Sequence, residues 1–79
     1  MSKEQKASNA EIRRATLDAI GETRFGMPAA DVFELVRRAL GDSAPSYGRL
    51  ASELVGLLVG QQIEHVDRSQ PALYRLREQ

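Results

Sequence analysis

The residue types that most often carry catalysis or bind metal ions are sparse in this chain. Histidine occurs once, at position 65, and cysteine does not occur. Glu64 and Asp67 flank His65, but a strand directs alternate side chains to opposite faces, so these groups would not converge on one ion. A serine nucleophile would have to use the same histidine, and no serine lies in the strand-turn-helix elbow of such enzymes. We therefore expect no metal site, no cofactor and no enzymatic activity.

A second group of chemically useful side chains is concentrated between Ser46 and Ser52. Tyr47 contributes a phenol, Arg49 a guanidinium, and the two serines contribute hydroxyl groups, all of which donate hydrogen bonds. Gly48 lies among them and leaves the backbone uncovered. These five residues are the first candidates for contacts with a partner.

Hydrophobic periodicity predicts three helices that would position these side chains. N-cap residues, a proline and glycines mark their boundaries: the helices are expected to begin at Ser8 or Asn9, after Pro28 and after Ser46, and the last two to end at Gly41 and around Val59 or Gly60. Each helix carries an apolar face, formed by Ile12, Thr16, Ala19 and Ile20, by Val32, Leu35, Val36, Ala39 and Leu40, and by Leu50, Leu54, Leu57 and Leu58. Arg37 and Arg38 end the second helix, where they would complement its dipole, with phosphate contact as the alternative.

The last part of the chain predicts two strands. Residues 62–67 and 72–77 flank a turn-forming segment, 68–71, and the second of them alternates with period two. The predicted fold class is therefore α+β, mostly α, with a three-helix core and a C-terminal two-stranded β-hairpin. Residues 24–28 are predicted to be a connector, residues 1–7 a disordered tail, and residues 8–79 a single domain.

Length and composition limit the architecture to one small domain. The chain has 79 residues, 42% of them hydrophobic, and a domain of this size has no room for a second core. Its 11 Lys and Arg residues balance 11 Asp and Glu, so the overall field does not attract a polyanion at long range. The longest uncharged stretch, 54–63, has ten residues, against the roughly 20 apolar residues of a membrane-spanning helix. We expect no membrane association and a cytoplasmic location.

This order of elements resembles the winged helix-turn-helix DNA-binding domain of bacterial transcription regulators, over residues 9–77. Residues 46–63 are similar to the recognition helix and first wing strand of that family, and Leu73-Tyr74-Arg75-Leu76 is similar to its final wing strand. The resemblance implies that helix three enters the major groove of duplex DNA. It also implies that Arg68, in the wing turn, touches the minor groove or the phosphate backbone.

The exposed side of helix three is expected to carry a row of small residues, namely Gly48, Ser52, Gly56 and Gly60. Glycine inside a helix costs about 1 kcal/mol relative to alanine, so this row needs a reason. In the first interpretation the helix lies deep in a major groove, where Arg49 contacts guanine or phosphate, Ser52 a base edge, and Tyr47 a phosphate or a thymine methyl. In the second, the glycines accommodate neighbouring side chains of the same molecule. In the third, they lie beside Val55 and Val59 and form a contact surface for another helix.

These patterns predict a small stand-alone winged-helix protein that regulates transcription by binding double-stranded DNA. Its expected DNA contacts are Ser46, Tyr47, Gly48, Arg49, Ser52 and Arg68. One module of this size contacts only about 600–1,000 Å² of DNA, so a homodimer on a palindromic site is expected. The alternative is a winged-helix protein-protein interaction module within a larger assembly.

Overall fold

The computed structural model of the chain describes residues 7–66 and 72–77. Three helices and three short strands follow one another along the chain: α1 (Asn9–Ile20), β1 (Met27–Pro28), α2 (Ala29–Leu40), α3 (Tyr47–Val59), β2 (Ile63–His65) and β3 (Leu73–Leu76). A 3-10 turn, Gly41–Ser43, connects α2 to the segment before α3. The predicted helices are confirmed, and the fold class is a mostly helical α+β. Among the described residues, no helix combines the length and the apolar character needed to cross a bilayer.

Local hydrogen bonds define where α1 and α3 begin. The Ser8 hydroxyl accepts a bond from the Glu11 amide, and the Glu11 carboxylate accepts one from the Ser8 amide, at 3.1 and 2.8 Å. This reciprocal pair is a capping box, which satisfies two amides that the helix itself leaves without partners. The Ser46 hydroxyl caps α3 in the same way by accepting from the Arg49 amide at 3.3 Å. The start of α3 is therefore set by residues within one turn of it.

The sheet differs from the predicted two-stranded hairpin because it contains a third strand. β3 is central, with β2 antiparallel on one side and β1 antiparallel on the other. In β1, Met27 lies opposite Tyr74 and Pro28 opposite Leu73, so the prediction that 24–28 is only a connector was wrong for its last two residues. Two residues are too few to show a period-two pattern. Pro28 has no amide hydrogen and is compatible with this edge position.

Gly26 allows β1 to approach β3. Its φ is +105°, and a Cβ placed there would lie 2.6 Å from Cγ2 of Val66 and 2.9 Å from Cβ of Leu73. Both the backbone conformation and the space exclude a side chain. The third strand therefore depends on a glycine that no hydrophobic pattern reveals.

The core lies where the three helices meet β2. Its buried side chains come from every helix and from β2: Ile12, Ala19, Ile20, Val32, Val36, Leu50, Leu54, Leu57 and Ile63. Thr16 is buried among them, and its hydroxyl donates to the Ile12 carbonyl at 2.7 Å. Ala7, which the sequence assigns to the tail, is 4% exposed, and its amide donates to the Ser43 carbonyl at 3.0 Å. The rest of the predicted tail, 1–6, and the segment 67–71 lie outside the described residues.

Candidate functional site

The orientation of α3 decides which of the candidate residues can meet a partner. Leu50, Leu54 and Leu57 are 1%, 4% and 2% exposed and pack into the core, so the predicted buried face is confirmed. The opposite side is exposed and comprises Gly48, Ser52, Val55, Gly56 and Val59. We call these five residues the outer face of α3.

Within the described residues, no side chain packs closely against the two glycines of the outer face, Gly48 and Gly56. Apart from the adjacent residues and the nearby backbone of α3 itself, no described atom comes within 4 Å of a Cβ built at Gly56, and a Cβ at Gly48 would meet only the Ser46 hydroxyl, at 3.9 Å. For residues 7–66 and 72–77, this contradicts the interpretation that Gly48 and Gly56 accommodate neighbouring side chains of the same molecule. Gly60 is different, because its Cβ would lie 3.3 Å from the Gly56 carbonyl oxygen at the end of the helix.

The remaining members of the outer face are mainly apolar. Val55 and Val59 are 54% and 77% exposed and lie one helical turn apart. Ser52 is exposed and contributes the one side-chain hydroxyl of this surface. The face is thus smooth at the two glycines and apolar at the two valines.

The single carboxylate of α3 is turned away from the outer face. Glu53 lies beside α1, where its Oε1 accepts from Nε of Arg13 at 2.9 Å, and its side chain is only 14% exposed. The Arg13 guanidinium therefore compensates the negative charge of α3. This arrangement removes a repulsive charge that would oppose an anionic partner at the outer face.

Arg49 lies at the edge of the outer face that is nearer to α1. Its Nη2 donates to Oδ1 of Asn9, the first residue of α1, and its side chain is exposed. A guanidinium has five N–H donors, so most of them remain available for a second acceptor. The bond to Asn9 holds the Arg49 guanidinium beside the start of α1.

The opposite edge carries a second cation, Arg37 of α2, for which phosphate contact was the alternative to a role at the end of the helix dipole. The Arg37 guanidinium lies over the Tyr47 ring, 4.8 Å from its centroid, and Phe33 contacts the same ring with centroids 6.0 Å apart. Tyr47 remains 58% exposed. Phe33 and Arg37 are four residues apart on α2, which places them on one side of that helix. Their spacing was the signal that could have indicated a joint surface with α3.

The predicted contacts on α3 lie together at its first two turns. Ser46 caps the helix, Tyr47 and Arg49 lie at its two edges, and Gly48 and Ser52 lie between them. Arg68 falls outside the described residues, so the sixth predicted contact has no position in this structure.

The described side chains around His65 contact partners within the sheet, and Asp67 lies outside the described residues. The His65 ring packs against Tyr74 with centroids 4.8 Å apart, while Glu64 binds Nε of Arg75 at 2.7 Å across the sheet. Throughout 7–66 and 72–77, no three His, Asp or Glu side chains are grouped closely enough to hold a metal ion.

Comparisons with protein-family models, with curated proteins and with solved structures gave no significant match to this chain. The order and pairing of the elements, three helices with an antiparallel sheet in the order β1-β3-β2, are compatible with a winged helix. The groups that α3 offers to a partner are those of its outer face and the two cations beside it.

Proposed function

We propose that this protein binds double-stranded DNA, with the outer face of α3 in the major groove and the β2-β3 hairpin against the backbone or minor groove. The observation that carries the proposal is the open space at Gly48 and Gly56 on a helix face that has no carboxylate. A helix with side chains is about 10–12 Å across, close to the width of the major groove, so glycines on the leading side favour deep entry.

The cations at the two edges of the outer face suit the two phosphate backbones that border a groove. Arg49 contacts Asn9 of α1, whereas Arg37 belongs to α2 and lies over the exposed ring of Tyr47, so the two cations adjoin the start of α3 from different helices. Binding depends on the phosphates that are contacted, so a net charge of zero is no obstacle. Arg68 would add a further contact from the wing.

The proposed role is that of a transcriptional regulator that occupies a duplex site as a homodimer. A few phosphate contacts and a single module that covers about 600–1,000 Å² of DNA give limited affinity. A symmetric dimer on a palindromic site would double the number of phosphate contacts and the contact area.

Fluorescence anisotropy of a labelled mixed-sequence duplex at several salt concentrations tests the proposal. We expect binding that weakens steeply with salt. In the double variant Arg49→Ala, Arg68→Ala, we expect weaker binding and a logarithmic salt slope reduced by about 0.9 for each phosphate that the variant no longer neutralises, with little change in melting temperature. Arg38→Ala is the matched control, because Arg38 pairs with Glu34 at 3.0 Å on another surface. Absence of binding at low salt, or a double variant that binds like the parent, would contradict the proposal.

A second candidate function is a protein-protein interaction module, and the exposure of the two valines favours it. Val59 is 77% exposed beside a glycine with open space around it, a surface that another helix could approach closely. Such a complex would be held by apolar contact and would weaken little with salt, in contrast to DNA binding. Salt dependence therefore separates the two functions.

A further inference from the structure

A polar cleft lies where the loop after α1 meets β2 and the end of β3. Its volume is about 820 Å³. The end of α1 contributes to one wall, and the other lining residues are Thr23, Arg24, Glu64, Arg75, Leu76 and Arg77. None of them belongs to the outer face of α3 or to the turn between β2 and β3. The cleft is therefore separate from the groups that are proposed to contact DNA.

The cleft gathers more positive than negative charge. Three guanidinium groups and one carboxylate line it, which leaves a net charge of +2. The carboxylate, Glu64, accepts from Nε of Arg75 at 2.7 Å, so one cation is paired. Among the described residues, no carboxylate forms an ion pair with Arg24 or Arg77. Glu22, the acidic residue closest to Arg24 along the chain, lines the groove between α1 and α2 instead. Like charges in one cleft repel each other, and a bound anion would offset that repulsion.

The end of α1 does not account for these cations. Three of its last four carbonyl oxygens already accept bonds from backbone amides of the next turn: Gly21 donates to Leu17 at 2.9 Å, Glu22 to Ala19 at 3.2 Å and Thr23 to Ile20 at 3.4 Å. These bonds satisfy acceptors that a helix leaves without partners at its carboxyl end. The arginines of the cleft are thus not needed to cap the helix.

A phosphate group suits this set of donors better than a carboxylate does. A guanidinium presents a planar fork of N–H donors that matches pairs of phosphate oxygens. A phosphate monoester carries a charge of about −1.5 to −2 at pH 7, close to the charge that the cleft lacks. The Thr23 hydroxyl accepts from the Phe25 amide at 3.1 Å and keeps its own hydrogen to donate. Leu76, at 40% exposure, adds an apolar wall for the organic part of an ester.

We propose that Arg24, Arg75 and Arg77 form a binding site for the dianionic phosphate group of a small ligand, either free phosphate or a phosphate monoester. The bound group would join the loop after α1 to β3. This inference does not rest on the proposed DNA binding, because it uses none of the α3 residues.

Titration of isotope-labelled protein with inorganic phosphate and with phenyl phosphate, followed by two-dimensional NMR at constant ionic strength, tests the site. We expect saturable shifts at the backbone amides of residues 21–24 and 75–77. Benzoate, a monoanion with the same ring, should bind roughly fivefold more weakly than phenyl phosphate, which is the effect of one unit charge close to the cleft. Equal affinities for the two phosphates would identify free phosphate as the ligand, and tighter binding of phenyl phosphate would identify an ester.

The variant Arg24→Gln, Arg77→Gln removes the two unpaired charges and keeps polar side chains. We expect its affinity for phenyl phosphate to fall roughly fivefold for each charge removed. Its melting temperature without ligand should stay that of the parent, because both arginines are exposed. Glu64→Gln removes the carboxylate and should raise the affinity instead. Arg38→Gln is the matched control and should leave the affinity unchanged, since Arg38 pairs with Glu34 on α2.

The outcomes separate a site from general attraction between charges. Shifts that do not saturate, or that appear equally at Arg38, indicate an adventitious ion only and overturn the proposal. A double variant that binds phenyl phosphate like the parent overturns it as well. If the double variant loses affinity for duplex DNA while the parent binds neither phosphate, the cleft belongs to a nucleic-acid surface and the small-ligand site is overturned.

Discussion

Helices α2 and α3 belong to the same small core but present opposite kinds of surface to their surroundings. Both bury an apolar face, with Val32 and Val36 at 0% exposure in α2 and Leu50 at 1% in α3. On its exposed side, α2 carries the ion pair between Glu34 and Arg38, 3.0 Å apart with side chains 62% and 71% exposed. The exposed side of α3 carries glycines and valines instead.

This difference is what the proposed contact of α3 with a partner would require. An exposed ion pair contributes little to stability. Charged side chains on the exposed side of α2 are what is expected of a helix surface in contact with water. A glycine in the interior of a helix lowers its stability by about 1 kcal/mol relative to alanine. A valine side chain that faces water contributes no free energy of hydrophobic burial. The outer face of α3 thus lowers the stability of the free protein, which is the expected signature of a surface kept for contact.

The largest expected effect concerns the buried side that α3 shares with the core. Leu54→Ala should lower the free energy of unfolding by about 2–5 kcal/mol, because it leaves a cavity among packed helices. Urea denaturation followed by circular dichroism measures the loss. Val59→Ala, on the outer face of the same helix, is the control and should stay within about 0.5 kcal/mol of the parent. A Leu54→Ala protein as stable as the parent would mean that the two sides of α3 do not differ as described.

The next effect separates the stability of α3 from its proposed function. Gly56→Ala should raise the free energy of unfolding by up to about 1 kcal/mol, since alanine favours the helix and its methyl group meets open space. The same methyl group would hold the backbone away from a groove, so DNA affinity should fall. Denaturation and anisotropy on one preparation measure both quantities. Unchanged affinity in a stabilised variant would show that close approach at Gly56 is not required.

Gly41 provides the matched control for that substitution. A Cβ there would also have no described atom within 4 Å, but its φ is +58° at the end of α2. Gly41→Ala should therefore destabilise the protein, by about 1 kcal/mol, because of backbone strain alone. The opposite signs at two equally open positions would isolate the contribution of helix conformation.

The smallest expected effect lies on the charged side of α2. Arg38→Ala removes the exposed pair with Glu34 and should cost no more than about 0.5 kcal/mol. Its DNA affinity should equal that of the parent within error, as measured by anisotropy. A decrease comparable to that of the Arg49 variant would extend the binding surface along α2 beyond Arg37 and remove the contrast between the helices.

The amino-acid sequence by itself determined the three helices, the ends of α2 and α3, and most of the buried faces; Ala39, which the periodicity placed on the apolar face of α2, is exposed. Ser8, Ser46 and Gly41 act on residues within one turn of themselves. The buried leucines of α3 repeat with the period of the helix. Capping and periodicity are local properties, so a pattern of neighbouring residues contains the information that they need.

Only the tertiary structure decided which charges and spaces surround the outer face. The contacts of Arg13 with Glu53 and of Arg49 with Asn9 each span 40 residues, and the position of Arg37 over Tyr47 joins two helices. Strand β1 likewise exists through pairing with β3 and not through a pattern of its own. Periodicity indicates which side of a helix is buried. The contacts named above depend instead on how the helices and strands lie against one another, and the packing of the whole core determines that arrangement.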